Sequence, residues 1–260
     1  MKYLYIIILL IYVIILCSYD KYITYLEDYK NEPYITVFAK NGLNNKLQVV
    51  LSYLYKAHVE EKKLIVYWII DDECPDIFDN LFEPIKDVTF IYKKSKDESI
   101  FDYITNSIYN NNHIYINKNY YKFLKPKINI QTKIDEWLLK LNNKFIACHI
   151  RRTDLHKYNI NDDWYKPKTD DQYVNLINQY DDTYNIFLAA DDNETQNIFK
   201  KIYGDRIFFN PIIKSDNLRQ TSLEDAVIDM YVCSNSDYFF GTHGSTFSNT
   251  IRYLKDLKKN

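Results

Sequence analysis

From residue 144 to residue 254, short apolar runs alternate with longer stretches of helical spacing. No other feature of the chain limits its fold as much. The pattern predicts strands over 144–150, 184–189, 206–209 and 237–240, with helices over 171–180, 194–202, 223–233 and 246–254. Runs such as Phe145-Ile146-Ala147-Cys148 lack polar alternation, as strands buried on both faces do. Strands separated by helices in this way imply a parallel sheet covered on both faces. Thr221 and Glu224 are spaced for a capping box on the third helix, whose core stripe is Leu223, Ala226, Val227, Met230 and Tyr231.

The preceding half is α/β but less regular. A strand over 34–39, a KNGLNN turn over 40–45 and a helix over 47–57 form one unit, followed by strands over 63–70 and 88–92. Asp71, Asp72 and Pro75 mark the loop between those strands. A helical register runs over 120–141, with Ile134, Trp137, Leu138 and Leu141 on one stripe. The expected organisation is an apolar helix over 1–18, a polar stalk over 19–33, a first lobe over 34–142 and a second over 143–260.

Residues 3–17 carry no charge and follow Lys2. The run is shorter than the ~20 residues of a typical membrane span, and it lacks a small-x-small cleavage site. The expectation is an uncleaved signal-anchor that puts the remainder in a lumenal or external compartment. A cleaved signal peptide and a buried helix are the alternatives.

Net charge is −2, with lysines and arginines scattered, which argues against a nucleic-acid partner and for arginines that meet a small anion. Four cysteines without CxxC spacing indicate neither a disulfide framework nor a zinc site. With only four glycines in 260 residues, each one is informative.

Ligands of parallel α/β sheets bind beyond the carboxyl ends of the strands. That rule selects residues 40–45, 149–156, 190–193 and 241–245. In HIRRTDLH, over 149–156, Arg151 and Arg152 offer guanidinium forks that match phosphate oxygens in a way lysine cannot, against the alternative of a structural ion pair. Gly42 to Asn45 lie where a strand becomes a helix, and Gly244, Ser245 and Thr246 repeat the arrangement. Helix amides there can cradle an anion, or Ser245 can simply cap. Asp191 and Asp192 could hold a divalent cation, orient sugar hydroxyls or cap the next helix. His58 and His113 read as ordinary histidines.

HIRRTD, LAADDNETQNIFKKIYGDRIFF and SLEDAVIDMYVCSNSDYFFGTHGSTFSNTIRYL resemble, in order, three peptides shared by the α1,2-, α1,6- and protein O-fucosyltransferases and the nodulation fucosyltransferase. The α1,6/nodulation branch is the most similar, and NGLNNKL resembles the Gly-x-x-Asn-Gln loop of the wider group. The resemblance implies a GT-B-like α/β fold of two Rossmann-like lobes, GDP-fucose as donor, inversion at the anomeric carbon, no metal and no other cofactor. It places Arg151 on the β-phosphate with His149 and Arg152 in support, and Asp229 on guanine. Asp191 and Asp192 become an acidic pair near the donor; Gly244, Ser245 and Thr246 become a phosphate loop, and Gly42 and Asn45 fall in the N-terminal loop.

The implied partners are a nucleotide sugar, a glycan or glycoprotein acceptor, and a membrane. Where the α1,6 branch has a lysine and then a glutamate, this chain has Leu155 and Asn159. Candidates for the general base are therefore Asp154, His156 and Asp163. A metal-dependent glycosyltransferase with another donor, an inactive nucleotide-sugar-binding module and a membrane-tethered structural protein remain as alternatives.

Overall fold

The computed structural model describes residues 33–94, 116–142, 144–153, 168–212 and 221–259. The apolar segment and nearly all of the stalk lie outside the described residues. Among those described, no helix is long and apolar enough to cross a membrane.

The first half builds a three-stranded parallel sheet in the order β1 (Tyr34–Ala39), β2 (Lys63–Ile70), β3 (Val88–Lys94). Helix α1 (Leu43–Val59) connects β1 to β2 and buries Leu47, Val50, Leu51, Leu54 and Ala57, an i, i+3, i+4, i+7 stripe. It starts four residues before the predicted 47. Asn41 takes up the turn alone, at φ 67°, and the amides of Asn45 and Lys46 already bond the Gly42 carbonyl at 3.0 and 3.2 Å. The asparagines that read as a loop thus form the first helical turn. A single turn, α2 (Phe78–Leu81), follows β2, and Phe78 stacks on Phe90 at 4.2 Å between centroids.

The helical register predicted over 120–141 is two pieces, a 3-10 helix (Lys118–Phe123) and α3 (Ile128–Lys140). Pro126 sits in the gap, and proline disfavours helix in the residue before it. The segment pairs instead with residues 81–83, Glu83 N–H donating to Lys125 O at 2.8 Å and Lys127 N–H to Leu81 O at 3.0 Å.

The second half is a four-stranded parallel sheet of β4 (Phe145–Ile150), β5 (Asn185–Ala190), β6 (Ile207–Phe208) and β7 (Tyr238–Phe240), in the order β6-β5-β4-β7. Its helices are α4 (Asp170–Ile177), α5 (Asn193–Tyr203), α6 (Leu223–Ser234) and α7 (Thr246–Leu257). All six residues of β4 are buried. Alternate side chains serve opposite faces: Ile146, Cys148 and Ile150 pack with Tyr173, Ile177 and Phe199 of α4 and α5, while Phe145 and Ala147 face α6. The expected capping box at Thr221 and Glu224 does not form. Ser222 caps α6, accepting from the Asp225 amide at 3.0 Å, while Glu224 pairs with Lys133 of α3.

Much of the core is common to both sheets. One apolar cluster joins Leu47 and Val66 of the first half to Ala147, Phe187, Val232 and Ile251 of the second. Tyr231 of α6 donates its hydroxyl to the Leu124 carbonyl at 2.6 Å, and Tyr253 of α7 lies 5.1 Å from the Tyr121 ring.

Candidate functional site

Strand order reverses between β4 and β7, since β5 and β6 lie to one side of β4 and β7 to the other. Chains leaving two such strands part in opposite directions and open a crevice. The crevice is present. Arg151 and Thr153 line it after β4, Asp191 after β5, and Ser245 to Phe247 at the start of α7. Gly42 to Asn45 close it from the first half, and Thr221, Leu223, Ala226 and Asp229 form the far wall. Two helix N-termini, those of α1 and α7, therefore border one cleft with Arg151.

Arg151 is held through its backbone, its N–H donating to Thr242 Oγ1 at 3.1 Å. The Thr242 hydroxyl in turn donates to the His149 carbonyl at 2.9 Å, which ties β4 to β7. The His149 ring is buried, 2.7 Å from Ser248 Oγ and tilted against Phe247 at 4.6 Å. Burial first, then the Arg151 and Arg252 charges, lower its pKa to about 3, so the imidazole is neutral at physiological pH. It links β4 to α7.

The tandem arginines separate. Arg152 sends Nη1 to the Lys168 carbonyl at 2.9 Å and Nη2 to Asp170 at 2.8 Å, a brace onto α4 outside the cleft. The acidic pair also divides. Asp191 Oδ1 accepts from the Arg152 amide at 2.7 Å, and Oδ2 from the Thr153 hydroxyl at 2.8 Å and amide at 3.3 Å. Burial raises its pKa, with those three donors acting against the shift. Asp192 caps α5 through Thr195 N–H at 2.7 Å, and its second oxygen is buried without a partner.

Asp229 is 5% exposed, and its Oδ1 accepts from Asn210 Nδ2 at 2.6 Å. Burial drives its carboxyl well above the usual carboxylate range. Ser245 caps α7 and also lines the cleft. Gly244 supplies a left-handed turn at φ 70° and is not among the cleft-lining residues. Asp154, His156 and Asp163 lie outside the described residues, as does His113. His58 bonds Tyr120 at 2.9 Å, away from the cleft.

Two residues of the NGLNNKL stretch have surroundings that its motif did not indicate. Asn44 lines the cleft with a buried Oδ1 that has no partner. Lys46 is fully buried, bonded to the Ile69 carbonyl and 3.5 Å from Asp71. A lysine beside apolar helix positions looks like solvated surface in a sequence. Cys74, Cys148 and Cys233 are buried free thiols. Among the described residues, no three His, Cys, Asp or Glu side chains are grouped to hold a metal ion.

The sequence profile described as GDP-fucose protein O-fucosyltransferase matches residues 45–258. The chain belongs to this family. It is thereby a glycosyltransferase, with the fucosyltransferase family's fold. NodZ alpha-1,6-fucosyltransferase soaked with GDP-fucose shares 17% identity over 86% of this chain and 93% of that one, with a TM-score of 0.59. Fucosyltransferase NodZ from Bradyrhizobium gives 16%, 86%, 94% and 0.58. POFUT1 in complex with GDP gives 14%, 86%, 95% and 0.60. At these identities the likeness is one of fold, α/β with parallel sheets. No curated protein sequence matches the chain.

Proposed function

We propose that the protein is an inverting, metal-independent fucosyltransferase of GT-B type that moves fucose from GDP-fucose to a hydroxyl of a glycan or protein acceptor. The observation that carries this is convergence on the β4/β7 crevice, where Arg151 and the N-termini of α1 and α7 border one cleft and Asp229 lines its wall. A helix N-terminus carries roughly half a positive charge and free amides. Two of them with a guanidinium suit a diphosphate. Breaking the fucose–phosphate bond builds charge on the leaving oxygen, so donors aimed there favour the transition state over the ground state. Asp229, an acceptor when ionised, is the guanine reader in this scheme.

Family membership supports the donor, as do the solved relatives with GDP-fucose or GDP bound. Asp191 has both oxygens engaged by residues 152 and 153, which suits a loop clamp better than a cation ligand. The general base is sought among Asp154, His156 and Asp163. In this reading residues 143–260 hold the donor and residues 34–142 face the acceptor. Residues 1–18 tether the protein to a membrane with the catalytic part on the lumenal side, and protease protection in sealed vesicles tests that placement.

Calorimetry with GDP, UDP, CMP and ADP, alongside GDP-fucose turnover with and without a chelator, tests the reading. It predicts tightest binding of GDP and turnover unaffected by chelation. Preference for another nucleotide, or activity lost on chelation, overturns it.

A further inference from the structure

From residues that do not line the cleft, hydrogen bonds run in one direction to Asp229. The Trp137 indole N–H on α3 donates to Asn210 Oδ1 at 2.9 Å, and Asn210 Nδ2 donates to Asp229 Oδ1 on α6 at 2.6 Å. The Asn210 carbonyl accepts from Gln196 Nε2 of α5 at 2.9 Å, which pins its backbone too. Asn210 and Asp229 are both buried. An indole can only donate, so the amide oxygen must face Trp137 and the amide nitrogen must face Asp229. Turning the amide over would set two donors against each other and the amide oxygen against a carboxylate.

The direction has a chemical consequence. Burial alone favours a neutral carboxyl at Asp229, which could donate to a ligand as readily as accept from one. Burial is the larger effect and leaves the carboxyl well above its ordinary range, and the Asn210 N–H works against it, since a hydrogen bond to the ionised form stabilises that form.

We propose that Trp137 and Asn210 are positioning residues that favour the acceptor form of Asp229 against the effect of its burial, and that this relay strengthens the preference for a base presenting N–H donors over one presenting an acceptor. Guanine offers N1–H and an exocyclic amine, hypoxanthine offers N1–H alone, and adenine offers an acceptor at N1. The proposal rests on reading the cleft as a nucleotide site.

Several titratable or charged groups surround Asp229. Asp225 stands one turn earlier on α6 and opposes ionisation, and Cys233 lies one turn later. Arg151, Asp191 and the neutral His149 line the same cleft from the strand ends. From α3, Lys133 is occupied with Glu224. The group supplied by α5, Gln196, is uncharged.

The test is calorimetry of GDP, inosine diphosphate and ADP on the full chain and on Asn210→Leu and Trp137→Phe, from about pH 6 to about pH 8, with thermal unfolding of each. The wild type should prefer GDP. Asn210→Leu should weaken GDP about ten- to a hundredfold at neutral pH, the usual worth of a hydrogen bond to a charged group. Affinity should then recover as the pH rises, because losing the donor raises the carboxyl pKa further, and the GDP-to-ADP ratio should narrow. Trp137→Phe keeps an aromatic ring against Phe187 and should give a smaller change of the same kind.

If Asn210→Leu does not fold, Trp137→Phe carries the test. A variant that is merely less stable, with the ratio and the pH profile of GDP affinity unchanged, overturns the relay and leaves the nucleotide reading standing. A wild type that binds none of the three overturns the nucleotide reading and the relay together.

Discussion

Arg151 and Arg152 are adjacent and chemically identical, yet the fold gives them separate work. Side chains of consecutive residues leaving a strand point to opposite sides, so Arg151 meets the cleft while Arg152 meets α4. Arg151→Lys keeps the charge and loses the fork, and should cost about 2–4 kcal/mol of transition-state stabilisation in GDP-fucose turnover. Arg152→Lys should lower the melting temperature and largely spare turnover of the folded enzyme. Steady-state kinetics beside thermal unfolding distinguishes the two.

His149 gives a pH signature at the same scale. Its folded pKa of about 3 lies below the ordinary 6.5, so below about pH 6.5 the unfolded chain binds a proton that the folded chain refuses. Stability from this group is complete above the unfolded value and falls as pH drops toward 3, by about 2 kcal/mol between about pH 7 and about pH 5. Asp191 and Asp229, with raised values, work in the opposite direction. Urea unfolding at both pH values should therefore show a steeper acid loss for wild type than for His149→Gln, in which the two carboxylates remain.

Among the elements, the close approach of β7 to α7 fixes the wall of the cleft that carries Ser245. A Cβ on Gly241 would lie 2.6 Å from Ser248 Oγ and 2.8 Å from its Cβ. Gly241→Ala must push α7 outward, and with it Ser245 and the Ser248 hydroxyl that meets His149. Overpacking of this kind costs about 1–3 kcal/mol. Unfolding in urea should show that loss, together with weaker nucleotide binding.

Strands β4 and β5 were legible because burial on both faces leaves continuous apolar runs, and the strand-end rule then led to Arg151, Asp191 and Ser245. Element ends were less legible. Asparagine serves turns and helix starts alike, which hid the first turn of α1, and Ser222 and Thr221 are chemically equivalent caps until the backbone chooses between them. Asn210 left no trace and the buried role of Lys46 was not legible from its place in NGLNNKL, since their importance comes from partners far away in sequence, Trp137 and Asp229 for one, Ile69 and Asp71 for the other.

At the scale of the molecule, the two sheets share a large apolar cluster, while a second cluster lies between the second sheet and α4 and α5. Residues 143–260 alone would leave Val232, Ile251 and the Tyr231 hydroxyl without the first-half side chains and the Leu124 carbonyl they meet. That fragment should fail to unfold cooperatively in a calorimeter, whereas residues 33–260 should give one transition. The shared interior also bears on how a nucleotide is felt at a distance. The walls that carry Gly42 and Ser245 lean on a common set of side chains, so opening one sheet should loosen the other. A ligand gripped at the crevice mouth should therefore slow amide exchange in β2, a strand absent from the cleft lining, nearly as much as in β4.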